Sequence, residues 1–117
     1  MKIKLGELKN AETSLQKLIE KDLNIKIAYK LGKLIKIISA EFKEIEDSRV
    51  KLIKKYGKED ENKNIQVLPE NNEKFYIEFQ QLLDEEIDID FEPLALEELG
   101  EISMTTTDVL KLGHILK

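Results

Sequence analysis

From Ile27 onward the chain places apolar side chains at Leu31, Leu34, Ile38, Phe42, Ile45, Leu52 and Tyr56, in steps of three and four with one vacant slot, which Arg49 occupies. Ala28, Ile35 and Ile53 widen the stripe. Such spacing lines up along one side of a 3.6-residue helix. It predicts an amphipathic helix of about nine turns, ending at Gly57, which stands where a left-handed C′ residue belongs. The consecutive four-residue steps at Leu34, Ile38 and Phe42 depart from a heptad and argue against a long regular coiled coil.

A helix of that length needs other elements to cover its stripe. Leu8, Ala11, Leu15, Leu18 and Ile19 give a shorter helical pattern from Glu7 to about Leu23, and a break follows at Asp22-Leu23-Asn24. Short helix, tight turn and long helix read as an antiparallel αα-hairpin. Beyond Gly57, Lys58 to Asn64 is a polar turn, and Ile65 and Val67 flank Gln66 as a short strand. Pro69 suits the first turn of a new helix whose buried face is Phe75, Phe79, Leu82 and Leu83.

Ile87, Ile89 and Phe91 then alternate with Asp88, Asp90 and Glu92, the pattern of a half-buried strand, ended by Pro93. Met1 to Leu5 alternates in the same way and reads as an edge strand, whereas Leu94 to Met104 is irregular. Thr105 to Asp108 supplies N-cap residues ahead of Val109, Leu110, Leu112, Ile115 and Leu116. The expected fold is a single α+β domain over residues 1–117, dominated by four helices. It comprises an antiparallel αα-hairpin with one long helix, two further helices, and a small sheet of two to four short strands.

Composition narrows the classes of function. There is no cysteine, so disulfides, thiolate metal sites and cysteine nucleophiles are excluded, and a reducing compartment is the natural setting. The N-terminal residues lack an apolar signal region and no apolar run is long enough to span a bilayer, so the expected location is the cytoplasm. With four Phe, three Tyr and no Trp, core packing falls to aliphatic residues, and a core that thin leaves room for a homo-oligomer.

Charge is split along the chain. Residues 1–58 hold 15 Lys and Arg against 8 Asp and Glu, whereas residues 59–103 hold 2 Lys against 15 acidic residues. Either the two halves neutralise one another within the fold, or one presents a charged face to a partner. Lys26, Lys30, Lys33, Lys36 and Lys43 lie largely opposite the apolar stripe. A single arginine and interrupting acidic residues argue against nucleic acid as the ligand of that face.

The acidic run from Asp84 to Glu92 is the first candidate site. On a strand, Asp88, Asp90 and Glu92 project to one side about 6.5–7 Å apart. No loop or histidine nearby completes a cation site, so the run reads as a solvated face or as a surface for a basic protein. Asp60, Asn62 and Asn64 match the opening of a calcium loop. The match fails at Ile65 and Asn71, where glycine and glutamate are needed. His114, the only histidine, is expected at a helix surface or end near the C-terminal dipole. Gly32, inside the long helix at a cost of roughly 1 kcal/mol against alanine, suggests close approach by the first helix or by a second chain.

The runs Ile25 to Leu34 (IKIAYKLGKL) and Arg49 to Gly57 (RVKLIKKYG), with Pro69-Glu70-Asn71 and Leu82 to Ile87 (LLDEEI), give the chain a likeness. It resembles short proteins encoded by phages and prophages of Gram-positive bacteria. Glycine at position 32, in place of an expected alanine, is one departure. The resemblance implies a phage-borne accessory protein and transfers no catalytic, cofactor or metal residues. The expected function is non-enzymatic and rests on protein–protein interaction, with inhibition of a bacterial defence system as one route. A virion structural or assembly component that forms oligomers is the alternative. Asp84, Glu85, Asp88, Asp90, Glu97 and Glu98 are the expected partner-binding residues, with the lysine-rich helix face as the other candidate surface.

Overall fold

The computed structural model describes residues 1–117, and its long axis of 52 Å is set by one helix, α3, running from Ile25 to Tyr56. Thirty-two residues at 1.5 Å each account for about 48 Å of that length. Asn24 starts the helix: its side-chain oxygen accepts the Lys26 N–H at 2.9 Å, satisfying one of the first-turn donors. The expected long amphipathic helix is therefore present with its stripe in register.

The N-terminal half of that stripe lies in the main core. Ile27, Leu31, Leu34 and Ile38 are buried in one cluster with Ile3, Leu8, Leu15 and Leu18 from the N-terminal elements and Ile89, Leu94, Leu99, Leu112 and Ile115 from the C-terminal part of the chain. Further along, Phe42, Leu52 and Tyr56 are only half-buried, with Ile45 the last fully buried position. Arg49, in the vacant slot of the stripe, is half-exposed and forms a two-pronged pair with Glu46 one turn earlier, at 2.6 and 2.9 Å.

Two short helices replace the single one expected before α3. α1 spans Leu5–Asn10 and α2 spans Glu12–Ile19, hinged at Ala11, whose N–H is shared between the carbonyls of Glu7 and Leu8. The hinge lets Leu5 and Leu8 of α1 and Leu15 and Leu18 of α2 all turn inward. Leu8 of α1 joins Leu15 and Leu18 of α2 in the buried cluster of α3, so the expected short helix against the long one stands, built from two segments.

A second antiparallel partner covers the far half of α3. After α3 come β2 (Gly57–Glu59) and β3 (Ile65–Val67), paired as a hairpin, then a 3₁₀ turn (Pro69–Asn71) and α4 (Asn72–Leu83). Asn71 is anchored at the end of α3, its side-chain nitrogen donating to the Tyr56 carbonyl at 3.1 Å. Leu83, at the other end of α4, sits against Gly6 of α1. Phe75, Phe79, Leu82 and Leu83 face inward as expected, but all are half-buried and α4 has no fully buried residue.

Gly57 is extended (φ −110°, ψ 177°), not left-handed as expected of a C′ glycine. Its role is close approach: a β-carbon there would collide with the Ile53 carbonyl and lie 2.6 Å from that of Gln66. The hairpin turn is organised by Asp60, whose carboxylate accepts the N–H groups of Asn62 (2.8 Å) and Asn64 (3.0 Å). The residues that opened a calcium-loop pattern thus form an Asx-type turn.

β1 (Lys2–Lys4) pairs antiparallel with β4 (Glu86–Asp88), setting Ile3 opposite Ile87. The expected sheet is accordingly two separate two-stranded sheets. β4 is also shorter than the alternation of residues 87–91 suggested. Beyond Asp88 the chain turns at Asp90, where the Phe91 N–H donates to the Ile89 carbonyl at 2.8 Å. A 3₁₀ turn at Leu96–Leu99 precedes α5 (Thr106–Lys111), started by Thr105, whose hydroxyl accepts the Asp108 N–H at 3.2 Å. α5 stops before Leu112, short of the expected Leu116, and the remaining residues run beside Leu94 through backbone bonds from Leu94 and Lys117. There are five α-helices in place of the expected four, and none is long and apolar enough to cross a membrane.

Candidate interaction surface

The six acidic residues singled out from the sequence are all exposed, but the fold divides them. Asp84, at the end of α4, accepts from Gln80 at 2.9 Å and lines a polar groove between α1 and α4 with Lys4 and Lys9. Glu85 follows it, its backbone carbonyl accepting the Leu5 N–H at 2.9 Å. Asp88 and Asp90 line a different hollow, beside Met1 and Phe91, and Asp88 lies 3.1 Å from the Met1 nitrogen. Glu98 closes the 3₁₀ turn by accepting the Ala95 N–H at 3.0 Å, while Glu97 beside it makes no such bond. Asp88, Asp90 and Glu92 are therefore not a row on one strand face, and no group of three ligating side chains capable of holding a metal forms.

Part of the charge split is resolved inside the fold. Lys55 pairs with Glu78 of α4 at 2.8 Å, and Asp90 and Glu92 line a shallow cleft together with Lys30 and Lys33 without forming an ion pair there, Glu92 lying instead 3.4 Å from Lys117. Tyr56 donates its hydroxyl to the same Glu78 oxygen. Lys55, and after it Tyr56, hold the Glu78 carboxyl below its ordinary pKa, and Glu78 raises that of Lys55 in return.

The most buried polar contact joins α2 to α5. Ser14, fully enclosed, donates to Asp108 Oδ1 at 2.7 Å, and Lys17 Nζ lies 3.3 Å from the other carboxylate oxygen. The Ser14 hydroxyl is the main cause of a lowered Asp108 pKa, followed by Thr105 and, more weakly, Lys17, with burial opposing them. A serine with its proton committed to a carboxylate and no access for a substrate is not a nucleophile; the trio fastens two helices. Neither Ser14 nor Asp108 was singled out from the sequence. Ser14 does fall on the stripe of Ala11, Leu15 and Leu18, which signalled its burial. His114 sits beyond the end of α5 and pairs with Glu7 of α1, so its neighbour is a carboxylate, not the terminus of its own helix.

The largely apolar opening lies elsewhere. Between the end of α2 and the start of α3, Ile19, Leu23, Ala28, Leu31, Gly32 and Ile35 line a hollow of about 340 Å³, with Lys21 and Lys36 at its edge. Gly32 is not a point of close approach: nothing lies within 4 Å of where its β-carbon would stand. Beside it on α3, Ile25 and Tyr29 are 83% and 65% exposed, and Lys33 Nζ lies 4.8 Å above the Tyr29 ring.

Compared with known proteins, this chain matches no family model, no curated protein and no solved structure.

Proposed function

We propose that the protein is a non-enzymatic accessory factor of phage or prophage origin that works by binding another protein, with a host defence component as the target class. The observation that carries the binding reading is the apolar hollow beside Gly32, edged by Lys21 and Lys36, with exposed Ile25 and Tyr29 at helical spacing from Gly32 on the same side of α3. Exposed apolar surface rimmed by polar groups is what protein-recognition sites offer, and isolated apolar residues do not. The polar side chains with catalytic potential support the same reading, since Ser14, Asp108, Tyr56 and Glu78 are engaged in bonds that join helices. The phage origin and the defence target rest on the sequence resemblance alone.

Capture of host proteins on the immobilised chain, followed by reconstitution from purified components, tests this. A defined complex that withstands gel filtration is the expected result. Failure of every captured protein to rebind in purified form refutes it. A second reading, an oligomeric virion component, draws on Val109 and Leu110, exposed on α5 at 41% and 76%. It requires the purified chain to assemble with itself and to co-purify with particles.

A further inference from the structure

Gly32 lies inside α3, two turns from its start, where glycine is the least favourable residue after proline. Inside this chain nothing uses its missing side chain, because the space in front of it is empty. What the glycine does is hold open the floor of the hollow between α2 and α3. A volume of about 340 Å³ falls at the small end of the range for binding pockets, roughly 300–1,000 Å³. It suits one or two bulky side chains and not an extended cofactor.

The surroundings specify what should carry those side chains. Ile25, Tyr29, Gly32 and Lys36 recur at helical spacing along one side of α3, over about 16 Å or three turns. Lys21 and Lys36 edge the hollow, and Lys26 and Lys33 are exposed on the neighbouring turns. No carboxylate lines it. A basic partner would bring like charges together, whereas carboxylates flanking an apolar anchor would meet ammonium groups on arrival. The lining is aliphatic, with no stacked aromatic platform, which favours a peptide over a nucleic acid.

We infer that the hollow beside Gly32 receives the apolar face of an acidic amphipathic helix from a partner protein. The helix lies along the first turns of α3, one or two large aliphatic or aromatic side chains fill the space over Gly32, and flanking Asp or Glu residues meet Lys21 and Lys36. This is the helix-in-groove mode of recognition. It rests on the protein-binding reading above and gives that reading a surface and a partner chemistry.

A displayed library of three-turn helical peptides, randomised on one face and selected on the intact chain, tests the inference. Enriched peptides should pair bulky apolar residues three or four positions apart with flanking Asp or Glu, and should bind more weakly as salt rises. Gly32→Met fills the hollow while improving helix propensity, so its Tm should equal or exceed that of the parent. Peptide affinity should nonetheless fall about tenfold or more, the scale of one buried anchor. The double variant Lys21→Glu/Lys36→Glu should lose affinity for the same peptides without filling the space.

Enriched peptides without a carboxylate bias, or equal binding to Gly32→Met, would overturn the inference. Self-association abolished by Gly32→Met would show that a second copy is the occupant and overturn it as well. Oligonucleotide binding lost in the lysine variant but kept in Gly32→Met would do the same. Peptides blocked by Leu110→Asp, and not by Gly32→Met, would move the surface to α5 and leave the protein-binding reading intact. No enrichment on any face would count against both.

Discussion

Ser14 and Asp108, ninety-four positions apart in sequence, share a hydrogen bond of 2.7 Å with both residues buried. Asp108 does more than pair: its backbone N–H is held by the Thr105 hydroxyl, so the residue that fastens α5 to α2 is itself held by the cap that starts α5. Replacing Ser14 leaves a buried carboxylate short of a donor, the costly way to break a hydrogen bond. Ser14→Ala should lower Tm by several degrees and should do so by loosening α5, seen as faster amide exchange at Val109 to Leu112 before the rest of the fold opens.

The same contact fixes a pH dependence. Because folding lowers the Asp108 pKa below its ordinary value of 3.8, the carboxylate contributes stability above that value. The contribution is lost as pH falls through the lower, folded-state pKa. Thermal melts of the parent and Asp108→Asn should therefore differ most near neutral pH and draw together below about pH 4. A gap that stays constant down to pH 2 would mean that the charge of Asp108 is not what holds α5.

The unequal burial of the two halves of α3 sets unequal mutational costs. Ile38 is 2% exposed within the main cluster, so Ile38→Ala should cost about 2–5 kcal/mol. Leu52 is half-buried beyond it, and Leu52→Ala should fall at or below the bottom of that range. Urea midpoints at constant m-value measure both. Similar losses at the two positions would show that the far half of α3 is as tightly covered as the near half.

What the sequence made legible, and what it did not, follows from the range of each interaction. The thirty-two residues of α3 repeat their pattern often enough that period and start signal agree. β3 was legible at Ile65 and Val67, but its partner β2 was not, because Gly57-Lys58-Glu59 has neither alternation nor strand propensity. It pairs because a residue without a side chain lets the Gln66 backbone come near. The strand expected through Phe91 stopped at Asp88, since its partner β1 is only three residues long. For the candidate site, exposure of the acidic residues was legible, but their separation into distinct hollows was not, because that depends on where α1, α4 and the N-terminal strand meet them. The Gly32 hollow was suggested by a costly glycine, though as a contact and not as an opening.

Two glycines should consequently respond to alanine with opposite signs. Gly57→Ala forces a methyl group against two backbone carbonyls that cannot move independently, and should destabilise by about 1–3 kcal/mol. Gly32→Ala meets nothing and should stabilise by up to roughly 1 kcal/mol through helix propensity. Matching signs in chemical denaturation would contradict the different roles assigned to them.

Divalent cations should leave the protein unchanged. Asp60 already spends its carboxylate on two backbone N–H groups, and Asp88 and Asp90 lie where the chain leaves β4 and turns. A site half-filled at tens of micromolar would, in millimolar calcium, add about 2.7 kcal/mol at a hundredfold excess over its dissociation constant. A rise in Tm with calcium, reversed by chelation, is the observation that would establish such a site.

Glu97 and Glu98 are neighbours with different tasks, and reversing each charge separates them. Glu98 accepts the Ala95 N–H and completes the turn that delivers Leu99 to the core, so Glu98→Lys removes a cap. That loss should cost about 0.5–2 kcal/mol, the usual range for a capping acceptor. Glu97 makes no comparable bond, so Glu97→Lys should keep the parental Tm within a degree or two and change only the surface potential. If a partner docks an acidic helix beside Gly32, removing a negative charge at residue 97 should leave its association rate equal or slightly higher, most visibly at low ionic strength. A marked slowing with Glu97→Lys would instead mean that the acidic segment, as the charge split first suggested, is the face that meets the partner. In that case the complementary variant, Lys36→Glu, should leave the rate untouched, and the pair of measurements decides which end of this charge-divided chain does the binding.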